Sequence, residues 1–165
     1  MTHSLSLRRL GTLEEANWCA RLMSSSDPWI TLGRSFEVSL DIVRDATRET
    51  YLALSGDECV GFVILSLGGP LSGYLQTLCI AHERRGQGLG SALLELAEEH
   101  IFAVSPNVFL CVSPSNHGAR RLYERSGYVY VGELADYLVD GQSELLYRKA
   151  RFSWDRFHRM HERKV

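Results

Sequence analysis

Apolar positions change their spacing along this chain, and each change marks a predicted element. From Gly88 to Ala103, Leu89, Ala92, Leu93, Leu96, Ala97 and Ile101 recur at helical spacing, with Glu95, Glu98 and Glu99 on the other side. That pattern predicts an amphipathic helix whose glutamates form a solvated face. Tyr74 to Ala81 and Val108 to Val112 are short apolar runs and predict buried strands. Glu49 to Leu54 and Glu58 to Leu67 predict a hairpin around Ser55-Gly56-Asp57. Ser4 to Arg9 predicts a first strand. Thr12 caps a helix to about Met23, with Glu15 completing a capping box. After the break at Ser24 to Pro28, Phe36 to Thr47 predicts a second helix, with Phe36, Leu40 and Val43 on one side. Asn116 to Ser126 predicts a helix closed by Gly127, a residue suited to the position just past a helix end. Tyr128 to Leu134 and Ser143 to Arg148 are the last strands, turning at Asp140-Gly141.

The order is mixed α/β, without internal repeat or linker. It predicts one domain over residues 1–150 and a helical extension over 151–165. The extension carries Phe152, Trp154 and Phe157 among basic residues. It is expected to pack on the domain or on a second subunit of a homodimer.

Composition narrows the setting. At 165 residues, 45% hydrophobic and 23% charged, the chain is expected to be a soluble globular protein with a core that needs no staples. A net charge of −2 gives no push toward nucleic acid or an anionic membrane. Cys19, Cys59, Cys79 and Cys111 are scattered, with no C-x-x-C pair, which favours a reducing, cytoplasmic setting. The six histidines show no metal-ligand spacing, so no metal is expected. The longest apolar run, Val60 to Leu67, is too short to span a bilayer.

The chemistry concentrates at Arg84-Arg85-Gly86-Gln87-Gly88-Leu89-Gly90-Ser91, between a predicted strand and a predicted helix. The first N–H groups of a helix lack intrahelical partners, and the helix dipole there favours negative charge. Glycines let the main chain approach a phosphate. The loop therefore suits a phosphate-bearing ligand. It is not a P-loop, because Ser91-Ala92 follows Gly90 where lysine would be needed. Nor does G-x-G-x-G fit the dinucleotide fingerprint.

Downstream stands Asn116-His117-Gly118-Ala119-Arg120-Arg121-Leu122-Tyr123-Glu124-Arg125-Ser126-Gly127-Tyr128. Together with Arg85-x-x-Gly88-x-Gly90, it resembles the GNAT superfamily of N-acetyltransferases. The loop matches that family's Gln/Arg-x-x-Gly-x-Gly/Ala. The second motif matches Asn-x-x-Ala-x-x-Leu-Tyr-x-x-x-Gly-Phe except at Tyr128. The resemblance covers roughly Tyr51 to Lys149. It implies a central, mostly antiparallel, twisted sheet with a splayed parallel strand pair and flanking helices. It also implies acetyl-CoA as co-substrate.

By the same resemblance, Arg85, Gly86, Gln87, Gly88, Leu89, Gly90 and Ser91 would hold the diphosphate. Leu78, Cys79 and Ile80 would offer main-chain groups to the pantetheine and an oxyanion stabiliser. Asn116 would contact the cofactor arm, and Tyr123 would protonate the leaving thiolate. Asn116 and Tyr123 lie seven apart and share a helix face. Taken alone, Asn116 also fits a plain N-cap and Tyr123 a core aromatic. Cys79 is not expected to be a nucleophile, since direct transfer needs no covalent step.

The general base is left open. Many relatives place glutamate on the strand before the loop, where this chain has Gln76. The ribosomal-protein alanine acetyltransferases have glutamate where this chain has Cys111. Glu144, Asp136, Glu133 and Glu37 remain candidates. Acceptor recognition is expected from Asp27-Pro28-Trp29-Ile30 and the following helix, and from Tyr130, Tyr137 and the last hairpin. The implied activity is direct acetyl transfer to a primary amine, of a small molecule in the first place. The alternatives are a protein N-terminus or lysine as acceptor, or a non-catalytic acyl-CoA-binding module.

Overall fold

A computed structural model describes residues 5–162. The elements run β1 (Leu5–Arg9), α1 (Leu13–Ser24), α2 (Phe36–Arg44), β2 (Glu49–Ser55), β3 (Glu58–Ser66), β4 (Tyr74–Ile80), α3 (Leu89–Phe102), β5 (Asn107–Val112), α4 (His117–Arg125), β6 (Val129–Ala135), β7 (Ser143–Ala150) and α5 (Trp154–Glu162). A 3-10 turn over His82–Arg84, which periodicity did not reveal, links β4 to the glycine loop. The strands form one sheet in the order β1-β2-β3-β4-β5-β7-β6, and β4–β5 is its parallel pair. The expected architecture, a mostly antiparallel sheet with one parallel pair and flanking helices, is what the chain adopts. Ser4 and the end of the tail, residues 163–165, lie outside the described residues.

Alternation along β2 and β3 decides what covers each face. Leu52, Phe62 and Ile64 point to one face and pack with Ala16, Cys19, Leu22 and Met23 of α1 and Val43 of α2. Val63 and Leu65 point to the other and pack with Leu93, Leu94, Ala97 and Ile101 of α3. Each large apolar side chain so buried stabilises the fold by about 1.5–3 kcal/mol. The helix ends follow the sequence closely. Thr12 and Glu15 form the capping box, and Gly127 takes the left-handed conformation after α4 (φ 87°). Helix α2 stops at Arg44, earlier than the periodicity implied. There Asp45 accepts hydrogen bonds from both the backbone and the hydroxyl of Thr47, a local alternative to another helical turn.

The solvated glutamate face expected on α3 is only partly so. Glu98 is buried, and its carboxylate pairs with Lys149 on β7. The helix leans toward the sheet by one more row than the hydrophobic pattern alone indicates. In α5, Phe157 is buried and Trp154 stays exposed. Among the described residues, no helix is long and apolar enough to cross a membrane.

Two irregularities position the functional cleft. The first is the joint between β4 and β5. Gly73 precedes β4 at φ 92°, and a Cβ there would lie 2.2 Å from the Asn107 carbonyl oxygen. The Phe109 N–H donates to Gly73 O at 2.9 Å, and the Ser105 hydroxyl donates to Ser72 O at 2.9 Å. The two strands are therefore stapled at one end. Their ladder consists of a single pair, Tyr74 with Phe109, after which they part. The second is a bulge in β4. Ile64 faces Thr77 while Leu65 faces Leu75, so Gln76 has no partner on β3. The extra residue reverses the alternation. Leu75 packs in the α3 core, whereas Cys79 packs in the α1–α2 core.

Candidate active site

The parting of β4 and β5 opens a cleft of about 860 Å³ that runs from the α3 side to the α1–α2 side of the sheet. On the α3 side its wall is mostly main chain. Gly86 and Gly88 both have positive φ (75° and 78°), a left-handed turn that an L side chain adopts at a cost of roughly 1–2 kcal/mol. Gly88 is the N-cap of α3, and no side chain caps that helix. The N–H groups of Leu89, Gly90 and Ser91 are thus offered to the cleft without an intrahelical partner.

The expected cofactor residues divide into three groups. Leu78, Cys79 and Ile80 line the cleft from β4; Gly86, Gly88, Leu89, Gly90 and Ser91 line it from the loop and the start of α3; Asn116 and Tyr123 line it from α4. Arg85 also borders the cleft, but its guanidinium is turned inward. Its Nε donates to Ile80 O at 3.0 Å and an Nη donates to the Ser26 hydroxyl at 2.9 Å, so it braces the loop against β4 and the turn that follows α1. Gln87 does not line the cleft. Its side-chain amide donates to Glu83 O at 3.3 Å and secures the 3-10 turn. Asn116 caps α4 by accepting from the Ala119 N–H at 3.2 Å, so the N-cap use is real and leaves the residue at the cleft wall.

Tyr123 is buried, in edge-to-face contact with Tyr128 (5.7 Å between ring centroids). Its hydroxyl has no protein hydrogen-bond partner among the described residues and borders the cleft. Burial alone pushes its pKa up to about 12, so the phenol stays protonated and able to donate throughout the neutral range. Cys79 is also buried, and desolvation raises its thiol to about 11. A thiol held neutral in this way is a core residue, as the sequence suggested.

On the α1–α2 side the wall is made of side chains from many elements. Glu144 stands out. It sits on β7, is buried, and accepts a hydrogen bond from the Ser113 hydroxyl at 2.7 Å. Desolvation raises its pKa above the usual carboxylate range, with the Ser113 bond opposing. The other candidate bases do not reach the cleft. Asp136 accepts from the Gly141 N–H and shapes the last turn, while Glu133 and Glu37 are exposed on β6 and α2. Glu144 lies beside Cys111, the position where the ribosomal-protein alanine acetyltransferases have glutamate. Cys111 pairs with Leu146, and Glu144 stands two residues before Leu146 on β7, on the same face. The sequence signal was a lone acid in an apolar strand, but alternation cannot tell which face it takes.

Of the expected acceptor residues, Asp27, Pro28, Trp29 and Tyr137 line the cleft. Ile30 and Phe36 do not. Tyr130 lies on the exposed edge strand β6, in edge-to-face contact with Tyr147, outside the cleft. Arg34, Arg48, Ser66 and Tyr74 also line this side and were not foreseen. Ser66 and Tyr74 are register partners, so one row of the sheet carries both.

A splayed parallel pair beside an uncapped, glycine-led helix is a specific arrangement, and the comparison with known proteins agrees with it. The family model described as "Acetyltransferase (GNAT) family" matches residues 12–128. The chain belongs to this family. Among curated GNAT relatives, an uncharacterized N-acetyltransferase of Methanocaldococcus jannaschii is 33% identical over 103 residues, 61% of this chain and 65% of that protein. The N-alpha-acetyltransferase MAK3 of Arabidopsis thaliana is 29% identical over 109 residues, 61% of this chain and 57% of that protein. The matched part thus spans less than two thirds of either relative. Spermidine N-acetyltransferase from Vibrio cholerae, solved in complex with CoA and spermine, shares the fold with a TM-score of 0.69 at 19% identity, covering 88% of this chain and 95% of that one.

Proposed function

We propose that this GNAT protein transfers the acetyl group of acetyl-CoA directly to a primary amine. The observation that carries the proposal is the opening between β4 and β5, flanked by an uncapped α3 on one side and by the Tyr123 hydroxyl on another. The fit to coenzyme A is chemical. Bare N–H groups at Leu89 to Ser91 suit a diphosphate. Strand edges of β4 and β5 beyond the Tyr74–Phe109 pair suit the amides of a pantetheine arm. Bound there, acetyl-CoA supplies an activated acyl group as a thioester.

The chain's own residues divide the remaining work. Main-chain N–H groups of β4 next to the Gln76 bulge are placed to stabilise negative charge on the acyl oxygen. Glu144 takes the proton that the acceptor ammonium must lose, directly or through water. Its raised pKa brings it closer to the ideal of a base matched to neutral pH. Tyr123 donates to the sulfur as the carbon–sulfur bond breaks and the nitrogen–carbon bond forms.

Purified protein incubated with acetyl-CoA and a panel of small amines is expected to release free thiol in step with N-acetylated product, followed by thiol titration and mass spectrometry. Tight coenzyme binding without turnover on any amine would replace this reading with that of a binding module.

A further inference from the structure

Two arginines on the α1–α2 side of the cleft, Arg34 and Arg48, bear on the acceptor. Arg34, in the α1–α2 loop, lines this side half-buried and forms no salt bridge with a described residue. Arg48, just before β2, meets Asp45 through Nε at 3.4 Å, which leaves its two Nη groups free toward the cleft among the described residues. The acids lining this side, Asp27 and Glu144, accept from hydroxyls and form no salt bridge with either arginine. Asp27 accepts from the Thr31 hydroxyl at 2.9 Å, and Glu144 accepts from Ser113. Arginines toward the coenzyme side are a separate group. Arg84 pairs with Glu58, and Arg85 is held by Ile80 O and Ser26.

A guanidinium in a half-buried pocket is a planar fork that matches a carboxylate in two hydrogen bonds. Such a fork stands open at Arg34 and at the Nη groups of Arg48, and a polyamine has no carboxylate to fill it. From this we propose that the acceptor is a small primary amine that itself carries a carboxylate, of the amino-acid class. Its ammonium faces Glu144 and its carboxylate faces Arg34 and Arg48. The proposal rests on the acetyl-transfer reading above and narrows it to a substrate class.

The test compares matched pairs: amino acids against their carboxamides, with spermidine alongside. Amino acids are expected to be preferred over the amides by about 10- to 100-fold in kcat/KM, the scale of a hydrogen bond to a charged group. Arg34→Ala and Arg48→Ala should each raise KM for the acids, with little change for the amides, so that the preference shrinks. Coenzyme affinity, measured by calorimetry, serves as the check that each variant is folded. Amides equal to or better than the acids, spermidine preferred over both, or a preference unchanged in the two variants would overturn the substrate class while leaving acetyl transfer standing. Thiol release with no amine at all would instead remove the acetyl-transfer reading and this inference with it.

Discussion

The two ends of the cleft are built from different materials. The α3 end is led by backbone: glycines at positive φ, N–H groups at a bare helix start, and strand edges that part beyond one pair, with side chains of α4 beside them. The α1–α2 end is made of side chains that the chain delivers from the α1–α2 loop, the start of β2, β4, β5, β7 and the β6–β7 loop. A backbone site needs particular residues at fixed local spacing, because only some residues permit the conformation. A side-chain site needs only that the fold bring the right groups together, and the sequence distances between them are free. The first kind is fixed by local geometry. The second can be rebuilt residue by residue and sets what is particular.

The sharpest way to separate the two ends is to remove the carboxylate of Glu144. Glu144→Gln keeps an acceptor for Ser113 and the side-chain volume. Turnover is expected to fall about 10²- to 10⁴-fold, the range for loss of a general base, while coenzyme affinity at the backbone end holds. The pH profile provides the sign. In the wild type, activity is expected to rise with pH as the buried carboxylate loses its proton, with this limb above the ordinary carboxylate range because desolvation favours the neutral acid. In the Gln variant that limb should vanish. An unchanged profile would move the base elsewhere.

The joint of the cleft makes the opposite test, since it touches no substrate. Gly73→Ala places a methyl on the Asn107 carbonyl at a left-handed backbone position. Overpacking of this kind costs about 1–3 kcal/mol. Stability in urea should drop by at least that amount, and coenzyme affinity should weaken with it because the strands no longer part at the same point. Stability loss with unaltered affinity would mean that the joint does not set the opening.

Tyr123→Phe is the smallest change and lies where the two ends meet. It removes one hydroxyl from a buried ring that keeps its contact with Tyr128. Turnover is expected to slow by about 10- to 100-fold with coenzyme affinity little altered, since a hydrogen bond to developing charge is worth roughly 1.5–3 kcal/mol. A rate equal to wild type, in single-turnover measurements, would discard Tyr123 as the donor.

The same division explains what was legible beforehand. The elements came out of periodicity and caps because those signals are local: Thr12 and Glu15, the left-handed Gly127, the apolar stripe of α3. The glycine loop and the Asn116–Tyr123 helix were legible for the same reason. Glu144 was visible only as one of four acids, because its burial depends on β5 lying beside β7, a pairing distant in sequence. Arg34 and Arg48 carried no signal at all, as single arginines near loops are common and only the fold puts both on one wall. Glu98 misled because a helix face facing solvent in pattern was met by Lys149 from a strand some fifty positions away. Arg85 was placed correctly along the loop, but its guanidinium serves the protein rather than the cleft.

The bulge at Gln76 has a consequence for how this strand can vary. Because it resets which residues point up and which point down, the half of β4 before it and the half after it answer to different neighbours. Deleting one residue there would restore strict alternation and send Tyr74 and Leu75 to exchanged sides, carrying the floor of one chamber into the interior of another. Exchanges of a single side chain in either half leave the other in register. The strand can therefore be retuned on one side of the irregularity while the stretch proposed to meet the coenzyme keeps its alignment.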